Sequence, residues 1–141
     1  VSWTSWVAVN GIYTKEDGFD YADSLLSASP DFSEWSVAER YYGFAHFSKY
    51  IPVGSKALDI GLRPTDDDND FNAFAFETPS GETVLVAVNE GADNTLEIDG
   101  KFHHMCIIMS NQDEKLKTVY DGDFKDIIEI PRDTILTVIF D

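Results

Sequence analysis

Residues 71–89 read FNAFAFETPSGETVLVAVN. Two apolar runs, residues 71–77 and 82–89, stand on either side of the sequence TPSG at residues 78–81, whose residue types are typical of tight turns. Short runs rich in Phe and Val predict strands, and the turn between them predicts a β-hairpin. This hairpin indicates that the second half of the chain is a β domain.

Short strands of the same kind extend from residue 56 to the end of the chain, and the sequence YDGD at residues 120–123 predicts a further turn. Strands at this spacing, with turn residues between them, are typical of an antiparallel β-sandwich. We therefore expect residues 53–141 to form one. The predicted strands outside the hairpin cover residues 56–62, 94–98, 103–109, 116–120, 126–130 and 134–140.

The first 52 residues have a different pattern. Residues 2–9 predict an apolar strand, residues 10–32 a long loop, and residues 33–50 a helix. Together they make one βα unit of a parallel sheet or barrel, which is not stable alone. We expect residues 1–52 to be the remnant of a larger domain and the chain to be part of a longer polypeptide, since apolar chain ends usually fray in water.

The predicted helix has a start signal and an amphipathic pattern. Ser33 or Ser36 is the predicted N-cap, and Ser36 followed by Glu39 matches a capping box. Pro52 and Gly54 end the helix. Apolar residues three and four apart predict one buried face. That face is expected to contain Trp35, Ala38, Tyr41 or Tyr42, Ala45 and Ser48.

The chain of 141 residues is strongly acidic, with a net charge of −16. Such a surface repels phosphate groups, so we expect neither a nucleic-acid partner nor attraction to anionic lipids. No apolar run approaches the roughly 20 residues of a membrane helix, and no membrane span is expected. Cys106 is the only cysteine, which excludes an internal disulfide and a CxxC metal motif. We interpret it as a buried, inert thiol.

Trp3 and Trp6 are the candidate substrate-binding residues. An indole ring stacks on the apolar face of a sugar, and its N–H donates to a hydroxyl. Core packing is the alternative interpretation, since most aromatic residues on strands are buried. Residues three apart on a strand point to opposite faces, so both line one pocket only if the strand has a bulge. Trp6 is favoured because barrel sites lie at the C-terminal ends of strands.

Other polar clusters give weaker signals. The acidic residues 66–70 lack the Gly and Glu spacing of an EF-hand calcium loop and are interpreted as a solvated turn. His103 and His104 point to opposite faces of a strand and do not chelate one metal ion together. His46 is interpreted as a packed or capping histidine. No metal and no cofactor are expected.

Several stretches resemble glycoside hydrolase family 30, whose best-known members are the glucosylceramidases. They are WTSW at residues 3–6, GFAHFSKYIPVGS at residues 43–55 and the hairpin at residues 71–89. The strand at residues 134–140 also looks like the last strand of that family. The resemblance covers nearly the whole chain in the right order.

The resemblance implies a (β/α)8 barrel fused to a β-sandwich, with residues 1–52 supplying the last strand and helix of the barrel. It also implies a retaining mechanism with two glutamates about 5–5.5 Å apart, both placed before residue 1. No residue of this chain is therefore assigned a catalytic role. Trp6 and Trp3 match tryptophans of the family's sugar pocket. The implied partners are a carbohydrate substrate of the parent enzyme and the rest of the barrel, and the implied location is secreted or extracytoplasmic.

The resemblance leaves three classes of substrate open. Val7 stands where glucosylceramidases have asparagine, and residues 11–31 do not match theirs. The pattern from Tyr13 to Gly18 is more similar to bacterial members that cleave β-1,6-linked galactan. Glucosylceramide, a β-1,6-glycan and a xylan-type polysaccharide are all compatible with the resemblance.

We expect a C-terminal fragment of a retaining β-glycosidase that is inactive by itself. The alternative is a stand-alone carbohydrate-binding β-sandwich, which requires a solvent-facing row of aromatic residues such as Phe71, Phe74 and Phe76. A third interpretation is a protein-interaction module that docks through the βα unit.

Overall fold

The computed structural model describes residues 9–11, 24–29, 31–61 and 70–141. Within these ranges the chain has eleven strands and one helix. It separates into two compact units, Val1–Phe44 and Ala45–Asp141, and the division falls inside the helix. The domain boundary between residues 52 and 53 stays a prediction.

The first unit has a small three-stranded sheet. Its strands are β1 (Val9–Gly11), β2 (Leu26–Ala28) and β3 (Trp35–Val37). β1 pairs with β2 in parallel, and β2 pairs with β3 in antiparallel register. The helix α1 follows and covers Glu39–Ser48. Apart from its last residue, the predicted strand at residues 2–9 lies outside the described residues.

Helix α1 is shorter than predicted because residues 35–37 pair with β2, a strand that lies in the predicted loop. Ser36 is therefore a strand residue, and the predicted capping box is wrong. The predicted buried face is wrong at both ends, since Trp35 is 71% exposed and Ser48 is exposed. Of the alternatives Tyr41 and Tyr42, Tyr41 is 40% exposed and Tyr42 is half-buried. Ala45 and His46 are the buried residues of the helix.

The second unit contains eight strands, β4 (Lys56–Leu58), β5 (Phe71–Glu77), β6 (Thr83–Asn89), β7 (Asn94–Glu97), β8 (His104–Ser110), β9 (Lys117–Asp123), β10 (Ile127–Ile130) and β11 (Thr134–Phe140). Six of them form an antiparallel sheet in the order β4-β5-β6-β11-β8-β9, and β7 and β10 form a separate antiparallel pair. The last described strand, β11, lies between β6 and β8.

The predicted hairpin is confirmed. β5 and β6 pair from Phe71 opposite Asn89 to Glu77 opposite Thr83. The turn closes with a hydrogen bond from Gly81 N to Thr78 O of 3.0 Å. Gly81 has a φ of 93°, a backbone conformation that favours glycine.

The predicted turn at residues 120–123 is wrong, because β9 continues through these residues to Asp123. The pairing of β8 with β9 shifts register between Ile107 and Ile108. Such a bulge places an extra residue on one strand and lets the pairing continue past it. The glycine and aspartates therefore lie on an edge strand rather than in a turn.

A hydrophobic core lies between the two sheets of the second unit. Alternate residues of β6, β8 and β11 meet residues of β7 and β10, as the two-residue period of strands requires. The predicted fold class is confirmed: the chain is mainly β, with an antiparallel β-sandwich after a strand-and-helix segment. The core residues are Leu85, Ala87, Leu96, Met105, Ile107, Ile128, Ile130, Leu136, Val138 and Phe140.

Candidate functional site

A cleft opens in the second unit between β5 and β6 on one side and β7 on the other. Its apolar floor includes Phe71, Leu85, Phe102 and Phe124. The cleft volume of about 1570 Å³ exceeds the 300–1,000 Å³ of a typical small-molecule pocket. As the described residues outline it, the cleft is therefore larger than a pocket for one small molecule.

The rim of this cleft is acidic, and its described lining contains no Lys, Arg or His. A one-signed rim attracts cations and repels phosphate groups. Among the described residues, no group of three or more His, Cys, Asp and Glu side chains is placed to hold a metal ion. The carboxylates on the rim are those of Asp59, Asp70, Asp93, Glu97, Asp99 and Asp126.

Asn89 closes one end of the cleft. Its side chain is 2% exposed, and its Nδ2 donates to the carbonyl oxygens of Ala92 at 2.8 Å, Pro131 at 2.9 Å and Ile130 at 3.2 Å. These acceptors belong to the turn after β6 and to the end of β10 with the residue that follows it. One amide group therefore connects three segments of the sandwich.

His46 is fully buried and makes two side-chain hydrogen bonds. Its Nδ1 is 2.7 Å from Thr137 Oγ1, and its Nε2 is 2.9 Å from Ser110 Oγ. Burial lowers the pKa of the imidazole to about 4, because the charged form loses its hydration. His46 is neutral at pH 7, and its interpretation as a packed histidine is confirmed. Sequence reasoning missed Ser110 and Thr137, although a lone hydroxyl in an apolar strand is a usable signal.

The other two histidines lie near the start of β8. His104 Nε2 is 2.9 Å from Asp121 Oδ1 on β9, and the two side chains are 45% and 64% exposed. His103 is exposed and precedes the strand. Cys106 is half-buried rather than buried, which corrects the prediction. Partial burial and the charge of Asp121 raise the pKa of its thiol, so it is protonated at pH 7.

The candidate sugar-stacking residues Trp3 and Trp6 lie outside the described residues, and so do residues 66–69 of the acidic stretch. Asp70, the last residue of that stretch, lines the cleft. The role of the two tryptophans stays a prediction.

The aromatic row required by a carbohydrate-binding module does not form on β5. Phe71 lines the cleft, whereas Phe74 is three residues along the strand and lies on the other face. Phe74 contacts Phe47 edge-on, with a ring-centroid distance of 6.0 Å. Phe76 shares the face of Phe74 but is only half-exposed. These three rings do not present one flat sugar-binding surface.

Within the described ranges, the helix of this chain is neither long nor apolar enough to cross a membrane.

Comparison with known proteins identifies similar chains. No family model matches. In sequence, the chain is 30% identical over 73 residues to the Caenorhabditis elegans protein named "Putative glucosylceramidase 1", which is 52% of this chain and 14% of that protein. In fold, it is similar to a GH30 endoxylanase from Clostridium papyrosolvens C71, with a TM-score of 0.62 and 18% identity over 74% of this chain and 28% of that one. It is also similar to the catalytic domain of GH30 xylanase C from Talaromyces cellulolyticus, with a TM-score of 0.62 and 16% identity over 84% and 27% of the two chains.

These comparisons confirm the predicted resemblance. The chain is similar to the C-terminal part of family 30 glycoside hydrolases in sequence and in fold. At 18% and 16% identity the likeness to the two xylanases shows the shared fold alone. The chain spans 14% of the C. elegans protein and 28% and 27% of the two xylanase chains, so it corresponds to a minor part of each.

Proposed function

From this likeness to family 30 glycoside hydrolases, we propose that the chain is the C-terminal part of a retaining β-glycosidase. The observation that carries the proposal is the 30% identity with the C. elegans protein over 73 residues, because it is a likeness of sequence and not only of fold. The substrate is a β-linked glucoside or polysaccharide. The two catalytic glutamates belong to polypeptide outside this chain.

Within that enzyme the N-terminal segment forms one wall of the sugar pocket. Trp6 stacks on the sugar ring, because indole rings suit the apolar faces of sugars. Trp3 joins the same wall if a bulge turns the two side chains to one face of the strand. The exposed large side chains of Phe32, Trp35 and Tyr41 support the proposal. Exposed large apolar side chains are found at surfaces that meet another protein surface, here the rest of the barrel.

The second unit acts as a support for the barrel. Its continuous core between two antiparallel sheets makes it rigid. A free-standing carbohydrate-binding module is the other candidate, but the positions of Phe71, Phe74 and Phe76 on β5 do not favour it. The division of the parent enzyme into a barrel remnant at residues 1–52 and a sandwich at residues 53–141 is part of this proposal.

Turnover assays test the proposal. The 141-residue chain is expected to hydrolyse no aryl β-glucoside, β-xyloside or β-galactoside, because it lacks the glutamate pair. The longer polypeptide from the same gene is expected to hydrolyse at least one of them.

In that polypeptide, Trp6→Ala is expected to lower kcat/KM about tenfold or more through lost stacking, which corresponds to about 1.4 kcal/mol or more of transition-state binding.

Phe74→Ala is the control, since it removes an aromatic ring that is 46% exposed on the second unit, outside the N-terminal segment. Equal losses of kcat/KM in the two variants argue against a pocket role for Trp6. Hydrolysis by the 141-residue chain alone refutes the assignment of the glutamates to other polypeptide. Sugar binding by that chain, measured by isothermal titration calorimetry, favours the binding-module alternative.

A further inference from the structure

The buried contact between His46 and the six-stranded sheet has an unusual arrangement of donors and acceptors. One imidazole ring from the end of α1 reaches hydroxyls on two adjacent strands, Ser110 on β8 and Thr137 on β11. These partners are 64 and 91 residues away along the chain. The ring therefore connects three elements that are distant in sequence.

The surrounding hydrogen bonds favour one tautomer of the His46 ring. The Thr137 hydroxyl donates to the carbonyl oxygen of His46 at 3.3 Å, so its Oγ1 accepts from Nδ1–H of the ring. Ser110 Oγ accepts from the backbone N–H of Leu116 at 2.8 Å, so its hydroxyl hydrogen is free to donate to Nε2. The neutral ring with its proton on Nδ1 satisfies both hydroxyls, and the other tautomer does not.

The sheet face beneath the ring carries few titratable groups. On β11, the neighbours of Thr137 on this face are Ile135 and Ile139, and the residue paired with it on β6 is Val86. On β8, the face continues through Ile108 to Cys106, whose thiol is uncharged. Asp121, paired with Cys106 on β9, carries a carboxylate on the same face and pairs with His104 rather than with the ring of His46. On the segment of His46 itself the Tyr50 ring lies 6.5 Å away, with Lys49 over that ring.

The loop after β8 carries the remaining charges near this contact. Lys115 Nζ donates to the carbonyl oxygen of Asn111, and Glu114 pairs with Lys117. No ion pair to the imidazole occurs among the described residues. Nothing described at this position therefore compensates a positive charge on the ring.

We propose that His46 is an acid-sensitive latch, whose neutral Nδ1–H ring holds the end of helix α1 on β8 and β11 and whose protonation on Nε2 releases that end. A proton on Nε2 turns the acceptor of the Ser110 hydroxyl into a donor. Ser110 Oγ then accepts from Nε2–H, its own hydroxyl hydrogen rotates away and loses its acceptor, and a charge is buried without a counter-ion. Detaching residues 45–48 from the sheet exposes the ring to water and relieves both costs.

The direction of the pH effect follows from the lowered pKa. An exposed histidine has a pKa near 6.5, and the value of His46 in the folded chain is about 4. The latch therefore gives its full stabilisation to the closed position of the helix end above pH 6.5. This stabilisation decreases as the pH falls from 6.5 to 4 and does not decrease further below the folded pKa. This difference corresponds to an increase of about 100-fold in the opening equilibrium of the helix end between pH 7 and pH 4.

Nuclear magnetic resonance of the ¹⁵N-labelled 141-residue chain tests the latch. At pH 7 the His46 ring is expected to show a protonated Nδ1 and an unprotonated Nε2, and its titration midpoint is expected near pH 4. Amide exchange at residues 45–48 is expected to accelerate by about 100-fold between pH 7 and pH 4, after correction for intrinsic exchange rates. Amides at the centre of β11 are expected to stay protected. A midpoint near 6.5, or a proton on Nε2 at pH 7, overturns the proposal.

Two variants separate the latch from general acid unfolding. His46→Gln is expected to make exchange at residues 45–48 independent of pH between 6.5 and 4, whereas His103→Gln, at an exposed position, keeps the pH dependence of the unsubstituted chain. Ser110→Ala removes the donor to Nε2 and is expected to raise the His46 midpoint. A midpoint that Ser110→Ala leaves unchanged contradicts the latch. If His46→Gln does not fold, the His46 titration midpoint in the unsubstituted chain still tests the latch.

Discussion

Asn89→Asp is expected to destabilise the fold by about 3–5 kcal/mol at pH 7. The substitution keeps the shape of the side chain but replaces the amide nitrogen, which donates to the carbonyls of Ala92, Ile130 and Pro131, with a carboxylate oxygen. A buried negative charge would then face three carbonyl oxygens with no hydrogen to share. Because a domain is stable by only about 5–15 kcal/mol in total, this loss leaves the variant close to unfolding.

The effect of Asn89→Asp is expected to depend on pH. Burial raises the pKa of such a carboxyl in the folded state above its unfolded value, so the variant's stability is greatest below the unfolded pKa and is lost as the pH rises through the folded one. The difference in unfolding free energy from the unsubstituted chain is therefore expected to shrink as the pH falls from 7 towards 4. Urea unfolding at several pH values, followed by far-ultraviolet circular dichroism because the second unit contains no tryptophan, measures it.

Asn94→Asp is the matched control for this prediction. Asn94 is exposed on β7, and its Oδ1 accepts from the backbone N–H of Thr95 at 2.7 Å, a role that a carboxylate keeps. The control adds the same charge and is expected to change stability by less than about 0.5 kcal/mol. Similar losses in the two variants mean that the net charge, and not the three carbonyls around Asn89, is responsible.

Phe140→Ala is expected to cost about 3–5 kcal/mol. Phe140 is 1% exposed, its ring stacks on Phe102 with a centroid distance of 4.6 Å, and Phe124 meets it edge-on at 6.1 Å. Removing the ring leaves a cavity between the sheets and takes away a partner from each of the two other rings. The midpoint of urea unfolding is expected to fall while the slope of the transition is unchanged.

Phe74→Ala makes the same chemical change at a position that is 46% exposed and is expected to cost less than half as much. Its only described ring contact is with Phe47. A cost for Phe140→Ala no larger than that for Phe74→Ala contradicts the assignment of the three-phenylalanine cluster to the core.

The strands of the second unit were predictable because local signals agree with one another. From Phe71 to Asn89, strand-forming residues flank a turn that contains proline and glycine, and the structure has the hairpin in that place. The prediction failed at residues 120–123, where glycine and aspartate are typical of turns but lie on an edge strand. An edge strand tolerates these residues because one of its sides needs no strand partner. The predicted start of the helix was also wrong, because residues 35–37 pair with β2 and this strand pairing outweighs the local helical pattern.

The sequence by itself determined the β class, the position of most strands in the second unit, the acidic surface and the resemblance to family 30. Each of these depends on composition or on residues close together in the chain. Only the tertiary structure decided that β11 lies between β6 and β8, that β7 and β10 form their own sheet, and that His46 contacts Ser110 and Thr137. Several strands have similar alternating patterns, so local propensity does not distinguish their partners. The free energy of packing distant segments together makes that choice.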